Sequence, residues 1–302
     1  MMTRFLVIAL ALLAVSCSSD SSRRAVEFDG KAAFQYLTTQ CDLGPRVPNT
    51  AAHQRALALI VGTLDSVGIA VEKQDLRIKD PYSSDTLYLT NVIGRINPEK
   101  KRRLLFCAHW DSRPRSEMDS DPQKQTEALP GANDGASGTA VLLQLAVELS
   151  RLQVKRGVDL AFFDGEDWGK PGDLDYYCLG STEFARRTSA SVYEYGIVLD
   201  LVGDSDQRFY KEEYSVRYEK KLADKVWARA AQLGMATVFD SRICPAIYDD
   251  HVPLLAASIK TIDIIDFEYP WWHTTEDTPD KCSPASLERV GKLALSLVVD
   301  PL

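Results

Sequence analysis

Residues 157–167 read GVDLAFFDGED, a nearly unbroken apolar run that stops at three acidic residues around one glycine. A strand that is apolar on both faces must be covered on both, the habit of parallel sheets with helices on either side. RRLLFCAHW (102–110), YEYGIVLDLVG (193–203) and KTIDIID (260–266) share this character, and IAVEKQDLRI (69–78) and TLYLTNVIGRIN (86–97) also read as strands. Helical periodicities fall around and between them at 29–40, 49–68, 137–152, 181–187, 215–234 and 283–299. The alternation predicts an α/β fold: an α/β/α sandwich around a central twisted sheet, mostly parallel or mixed. The second helix is expected to enter through Asn49 as its N-cap and to leave through Gly68.

The first seventeen residues, MMTRFLVIALALLAVSC, carry one arginine and then an apolar run from Phe5 to Val15. That run is shorter than the roughly 20 residues a bilayer span needs, so residues 1–16 read as a removable export signal. AVSC resembles a bacterial lipobox, with Ala14 where leucine is usual; an ordinary secretory signal cut nearby is the alternative. Cys17 would then carry lipid, residues 17–26 would be a flexible tether, and 27–302 a single catalytic domain, since no Gly/Ser- or Pro-rich linker interrupts it. The chain is expected to be exported and lipid-anchored on the periplasmic side or cell surface, meeting membrane only through that lipid. A net charge of -8, with no basic run beyond KKRR (100–103), excludes a nucleic-acid partner. Cys41, Cys107, Cys178, Cys244 and Cys282 are an odd, scattered set with no CxxC, which points to neither a thiolate metal site nor a redox pair.

Ligands of open α/β sheets gather at the carboxyl ends of the strands. His109 and Asp111 follow one strand, Glu166 and Asp167 a second, Asp200 a third, and a fourth leads through DFEYPWWHTTED (266–277) to His273. The loop LPGANDGASG (129–138) adds Asp134 at the entrance to a helix. His109, Asp134, Asp167, Asp200 and His273 are nitrogen and oxygen donors of the kind zinc accepts. Each alone has a bland explanation as a cap, turn or buried polar group; together they form a rim.

HWD (109–111), GANDGASG (131–138), FFDGED (162–167), LDLVGD (199–204) and the Trp272-His273 pair, in that order, resemble the zinc-aminopeptidase-like superfamily. The resemblance implies a zinc-exopeptidase-like fold. In the peptidase branch it implies two zincs: Asp134 bridges them, Asp167 and His273 complete the first site, His109 and Asp200 hold the second, and Glu166 is the general base. YDDHVPLL (248–255) and EYPWWHT (268–274) are similar to segments of the animal-type glutaminyl-peptide cyclotransferases, as are CAHWDSRP, FFDGED and LDLVGD. That branch implies one zinc on Asp134, Asp167 and His273, with Asp200 and Asp250 as carboxylates around Glu166 and His109 unmetallated. Animal enzymes carry two consecutive glutamates where this chain has Glu166-Asp167, a difference that does not separate the branches.

A cyclase must keep water from competing with an intramolecular amine, so apolar walls have a purpose. Trp272 and Trp168 are the expected substrate-binding walls, each able to lend an indole N–H. Trp271 is expected to pack structurally, because neighbours in an extended loop point apart. Asp111 is expected to fix the ring of His109, Asp164 to end its strand, and His251 to support the Asp249-Asp250 turn. No role falls to His53. The expected activity is zinc-dependent cyclisation of N-terminal glutamine on peptides or exported proteins, releasing ammonia. A dizinc aminopeptidase is the alternative.

Overall fold

A computed structural model describes residues 27–302; the expected signal, lipid site and tether lie outside the described residues. Six strands form the main sheet in the order β1 (Ala70–Lys79), β2 (Thr86–Ile96), β4 (Gly157–Phe163), β3 (Arg103–His109), β5 (Tyr193–Asp200) and β8 (Thr261–Ile265). β1 and β2 form an antiparallel hairpin, and β2 runs antiparallel to β4. The other four are mutually parallel, so the sheet is mixed. β3 is the switch point. The strand after it in the chain lies on one side of it and the next on the other, which opens a crevice beyond its carboxyl end.

Helices α1 (Gly30–Asp42), α2 (Ala51–Ser66), α3 (Ala136–Ser150) and α7 (Pro284–Val299) cover one face, while α4 (Leu179–Arg187) and α6 (His251–Ala256) cover the other. The pleat of β3 divides accordingly: Leu104, Phe106 and Ala108 enter one core, Leu105 and Cys107 the other. Helix α5 (Glu213–Gln232) packs beside β8, next to a small parallel pair, β6 (Phe209–Glu212) and β7 (Phe239–Cys244). The sequence periodicity does not reveal that pair or α6, because all three are six residues or fewer.

The cap of α2 differs from the expectation. Thr50 accepts the His53 N–H through its hydroxyl, whereas Asn49, in the left-handed region, uses its side chain to bond Thr86 and Tyr88 of β2. Inside the sheet, the buried carboxylate of Asp159 on β4 accepts from Arg103, Arg95 and the Tyr193 hydroxyl, joining four strands through one fully paired charge.

Candidate active site

The carboxyl ends of β3, β4, β5 and β8 place the expected residues on one rim. Asp134 reaches it from the turn before α3, where Gly135 has φ +86°; a Cβ there would sit 2.5 Å from the Asp111 carbonyl and 3.0 Å from the His109 ring. Gly165, at φ +71°, makes the equivalent turn before Glu166.

Asp134, Asp167 and His273 converge, each offering a donor atom within 4.8 Å of the others. His273 Nε2 stands 3.7 Å from Asp134 Oδ2 and 3.6 Å from Asp167 Oδ1, too far for hydrogen bonds. Two ligands at about 2.0–2.2 Å from one tetrahedral zinc are about 3.3–3.6 Å apart, so the spacing suits a shared ion. Three further observations fit. Among the described residues, Asp167 Oδ2 is buried without a partner. Burial pushes His273 down to about 4, leaving a neutral ring with a lone pair to offer. Burial also raises Asp167 well above the carboxylate range, a cost that a divalent cation would reverse.

His109 lies differently. Its Nε2 is hydrogen-bonded to Asp200 Oδ1 at 3.2 Å and lies equally close to Asp134 Oδ1. Burial alone would depress this histidine, but Asp111, Asp134 and Asp200 outweigh it and hold it well above its usual value. Burial lifts Asp200 to about 7. Asp111 Oδ1 is 3.5 Å from His109 Nδ1, and that nitrogen has no hydrogen-bond partner among the described residues. The carboxylate of Asp111 instead accepts the backbone N–H groups of Glu166, at 3.1 Å, and Asp167, at 3.3 Å. Asp111 therefore holds the turn bearing Glu166 more than it holds the imidazole.

Glu166 is raised well above the carboxylate range by burial and then by Asp167. Its carboxylate lies within 4.8 Å of Asp249 and of the Cys178 thiol, which is 3.4 Å from Glu166 Oε1. Here the expectation for Asp250 needs correcting. Asp249 lines the cleft, while Asp250, at the start of α6, is buried and does not line it, and among the described residues neither of its oxygens has a hydrogen-bond partner. Asp200 lines the cleft but bonds His109 and its neighbour's N–H, with no hydrogen bond to Glu166.

Several positioning contacts have no sequence signature. Arg46, fully buried, donates to the carbonyls of Trp110, Pro130, Gly131 and Asp134, and so ties down the loop that bears Asp134. Arg113, equally buried, donates to the Asp167 carboxylate and pairs with Glu117. Asp277 accepts the N–H groups of Asn133 and Asp134 and the Tyr269 hydroxyl, joining the Asp134 loop to the His273 loop. The His273 carbonyl accepts the Met118 N–H, and Asp119 bonds Thr275. His273 itself has φ 55°, a left-handed conformation imposed on a metal-competent residue.

The cleft among these groups is small, about 60 Å³. Tyr177, Ile247, Tyr248, Ile265, Phe267 and Trp272 line its apolar side. The Trp272 ring stacks on His273 at 3.8 Å and meets Phe267 at 4.8 Å. Trp168 does not line the cleft: the turn after Asp167 carries it against Leu76, Leu87, Leu89 and Leu179, and its indole N–H is spent on Asp80 at 3.0 Å. Trp271 points away, 38 % exposed, with the Lys281 ammonium over its ring at 4.8 Å rather than the sheet edge. His251 bonds Glu212 at 3.0 Å, not the Asp249-Asp250 turn. His53, given no role by sequence, is buried and bonded to Asp164, so that Asp164 does more than end its strand.

The model of peptidase family M28 matches residues 91–298, which includes every residue of the rim. The glutaminyl cyclase of Bacteroides thetaiotaomicron bound to N-acetylhistamine is 35% identical, with a TM-score of 0.87 over 91% of this chain and 98% of that one. A Zn-dependent exopeptidase from Parabacteroides distasonis ATCC 8503 is 34% identical, with a TM-score of 0.87 over 91% and 99%. The glutaminyl-peptide cyclotransferase of Drosophila melanogaster is 28% identical over 90% of this chain and 82% of its own length.

Proposed function

The chain belongs to peptidase family M28, and within that family we propose that it is a glutaminyl cyclase: it closes the N-terminal glutamine of peptides or proteins to pyroglutamate, with one zinc held by Asp134, Asp167 and His273. In the reaction the α-amine nitrogen bonds the carbon of the side-chain carboxamide (Cδ), the bond from that carbon to the amide nitrogen breaks, and ammonia leaves with the proton surrendered by the amine. Zinc, when bound, supplies a Lewis acid for the γ-carbonyl oxygen.

The chain's own residues do the rest. Glu166 takes the proton from the amine and returns it to the departing nitrogen. Asp111 fixes the base through two backbone bonds, and Asp249 stands beside it as a neighbouring carboxylate. Trp272, Phe267 and Ile247 form the apolar side of a narrow slot, which limits the water that would turn cyclisation into hydrolysis.

One observation supports placing the zinc on Asp134, Asp167 and His273 rather than on the second metal-competent group, His109, Asp134 and Asp200. His109 Nε2 is already engaged as a hydrogen-bond partner of Asp200 at 3.2 Å, whereas no hydrogen bond closes the Asp134, Asp167 and His273 group. The relatives named as cyclases support the same reading. Incubation with Gln-peptides tests it: ammonia and a blocked N-terminus are expected, and absence of both excludes the activity. The signal-like first residues support a further proposal, that the enzyme is exported, lipidated on Cys17 and acts on exported proteins. Mass analysis of the mature N-terminus checks it; an unmodified Met1 contradicts it.

A further inference from the structure

We infer that His53 is a positioning residue for Glu166 and Asp167, acting from α2 through Asp164 and Trp110. The inference rests on Glu166 being the base, in whichever of the two family reactions. His53 is 1% exposed, with Nε2 at 2.9 and 3.0 Å from the two Asp164 oxygens. Its ring lies parallel on Trp110, centroids 4.3 Å apart.

Each partner leads to the base by its own route. Asp164 is fixed by the Thr90 N–H at 2.6 Å and, through its own N–H, by Asn91 Oδ1 at 3.1 Å. Only Gly165, in its left-handed turn, separates it from Glu166. Trp110 is fixed by its indole N–H on the Thr90 carbonyl at 3.2 Å and its backbone N–H on Phe163 at 3.0 Å. The residue after it, Asp111, accepts the Glu166 and Asp167 N–H groups. One imidazole thus braces the ends of β3 and β4 together. Packing alone does not account for it, since burying an imidazole and a carboxylate costs more than burying apolar groups of the same volume. A catalytic base misplaced by about 1 Å can lose about a hundredfold in rate, so bracing has a functional return.

The test compares His53→Leu, which keeps volume and removes the donor, with His53→Gln, whose amide can still donate to Asp164. Both are assayed as folded, zinc-loaded enzyme below the unfolding transition, with zinc per chain measured alongside. His53→Leu is expected to lose about 10–100-fold in kcat, with KM within about threefold and zinc unchanged, and His53→Gln to recover most of the loss. Wild-type kcat per folded His53→Leu enzyme, or equal losses in both variants, overturns the inference. Should His53→Leu not fold, Asp164→Asn carries the test: it keeps an acceptor for Thr90, and the same kcat loss at constant KM is expected, wild-type kcat being the overturning result. If wild type fails on Gln-peptides, the variants are compared on Leu-peptide hydrolysis. Glu166 has the same duty there, so failure of the cyclase proposal and failure of this one remain distinct.

Discussion

Asp277→Asn should weaken zinc binding although Asp277 is not a proposed ligand. Its carboxylate accepts three bonds: Asn133 N–H at 2.8 Å and Tyr269 O–H at 2.8 Å on one oxygen, Asp134 N–H at 3.1 Å on the other. Asparagine offers one oxygen. If that oxygen keeps Asn133 and Tyr269, its NH₂ faces the buried Asp134 N–H, donor against donor. One hydrogen bond to a charged group is lost, worth about 1.5–3 kcal/mol. Removing a partner that orients a metal ligand typically costs about 10–100-fold in metal affinity, or about 1.4–2.7 kcal/mol, so the two ranges agree. Burial, then Asp134, pushes Asp277 up to about 7, so the comparison belongs above that pH, where the carboxylate is ionised. Competition against a chelator of known affinity should give a zinc Kd about 10–100-fold weaker than wild type. An unchanged Kd in a folded variant would refute the claim that Asp277 couples the two ligand loops.

Glu166→Gln should lose at least about 100-fold in turnover and keep its zinc; loss of zinc would mean that this residue is a ligand rather than the base. His109→Ala should retain one equivalent of zinc per chain by metal analysis, whereas loss of an equivalent from a two-zinc wild type would restore the peptidase arrangement. Asp266 supplies a pH test on stability. Burial raises this carboxyl from 3.8 to about 7, so the folded chain binds the extra proton between those values. Its stabilising contribution is full below about 4 and lost as pH rises through 7. The Tm of Asp266→Asn should therefore gain on wild type across that window, and a difference independent of pH would show that Asp266 does not titrate there.

The parallel strands were legible because a strand buried on both faces leaves an apolar run whose end is marked by the first polar residues. His109, Glu166, Asp167 and Asp200 are such residues, and all four stand on the rim. Choices between neighbours were less legible. Asp249 and Asp250 are adjacent, and only the start of α6 decides which carboxylate faces the cleft. Trp168 follows Asp167 directly in the chain, yet the turn carries it round to Asp80. Supports such as Arg46 on the Asp134 loop, Asp277 on Asn133 and His53 on Asp164 act across 88, 144 and 111 residues. Their partners share no local periodicity, so no pattern in the chain announces them.

The most direct measurement combines product analysis and metal content on one preparation. Given a Gln-peptide, the purified enzyme should release ammonia, leave a pyroglutamyl N-terminus and contain one zinc per chain. Free amino acid released from Leu- or Ala-peptides by a protein holding two zincs, with the Gln-peptide left uncyclised, would contradict it.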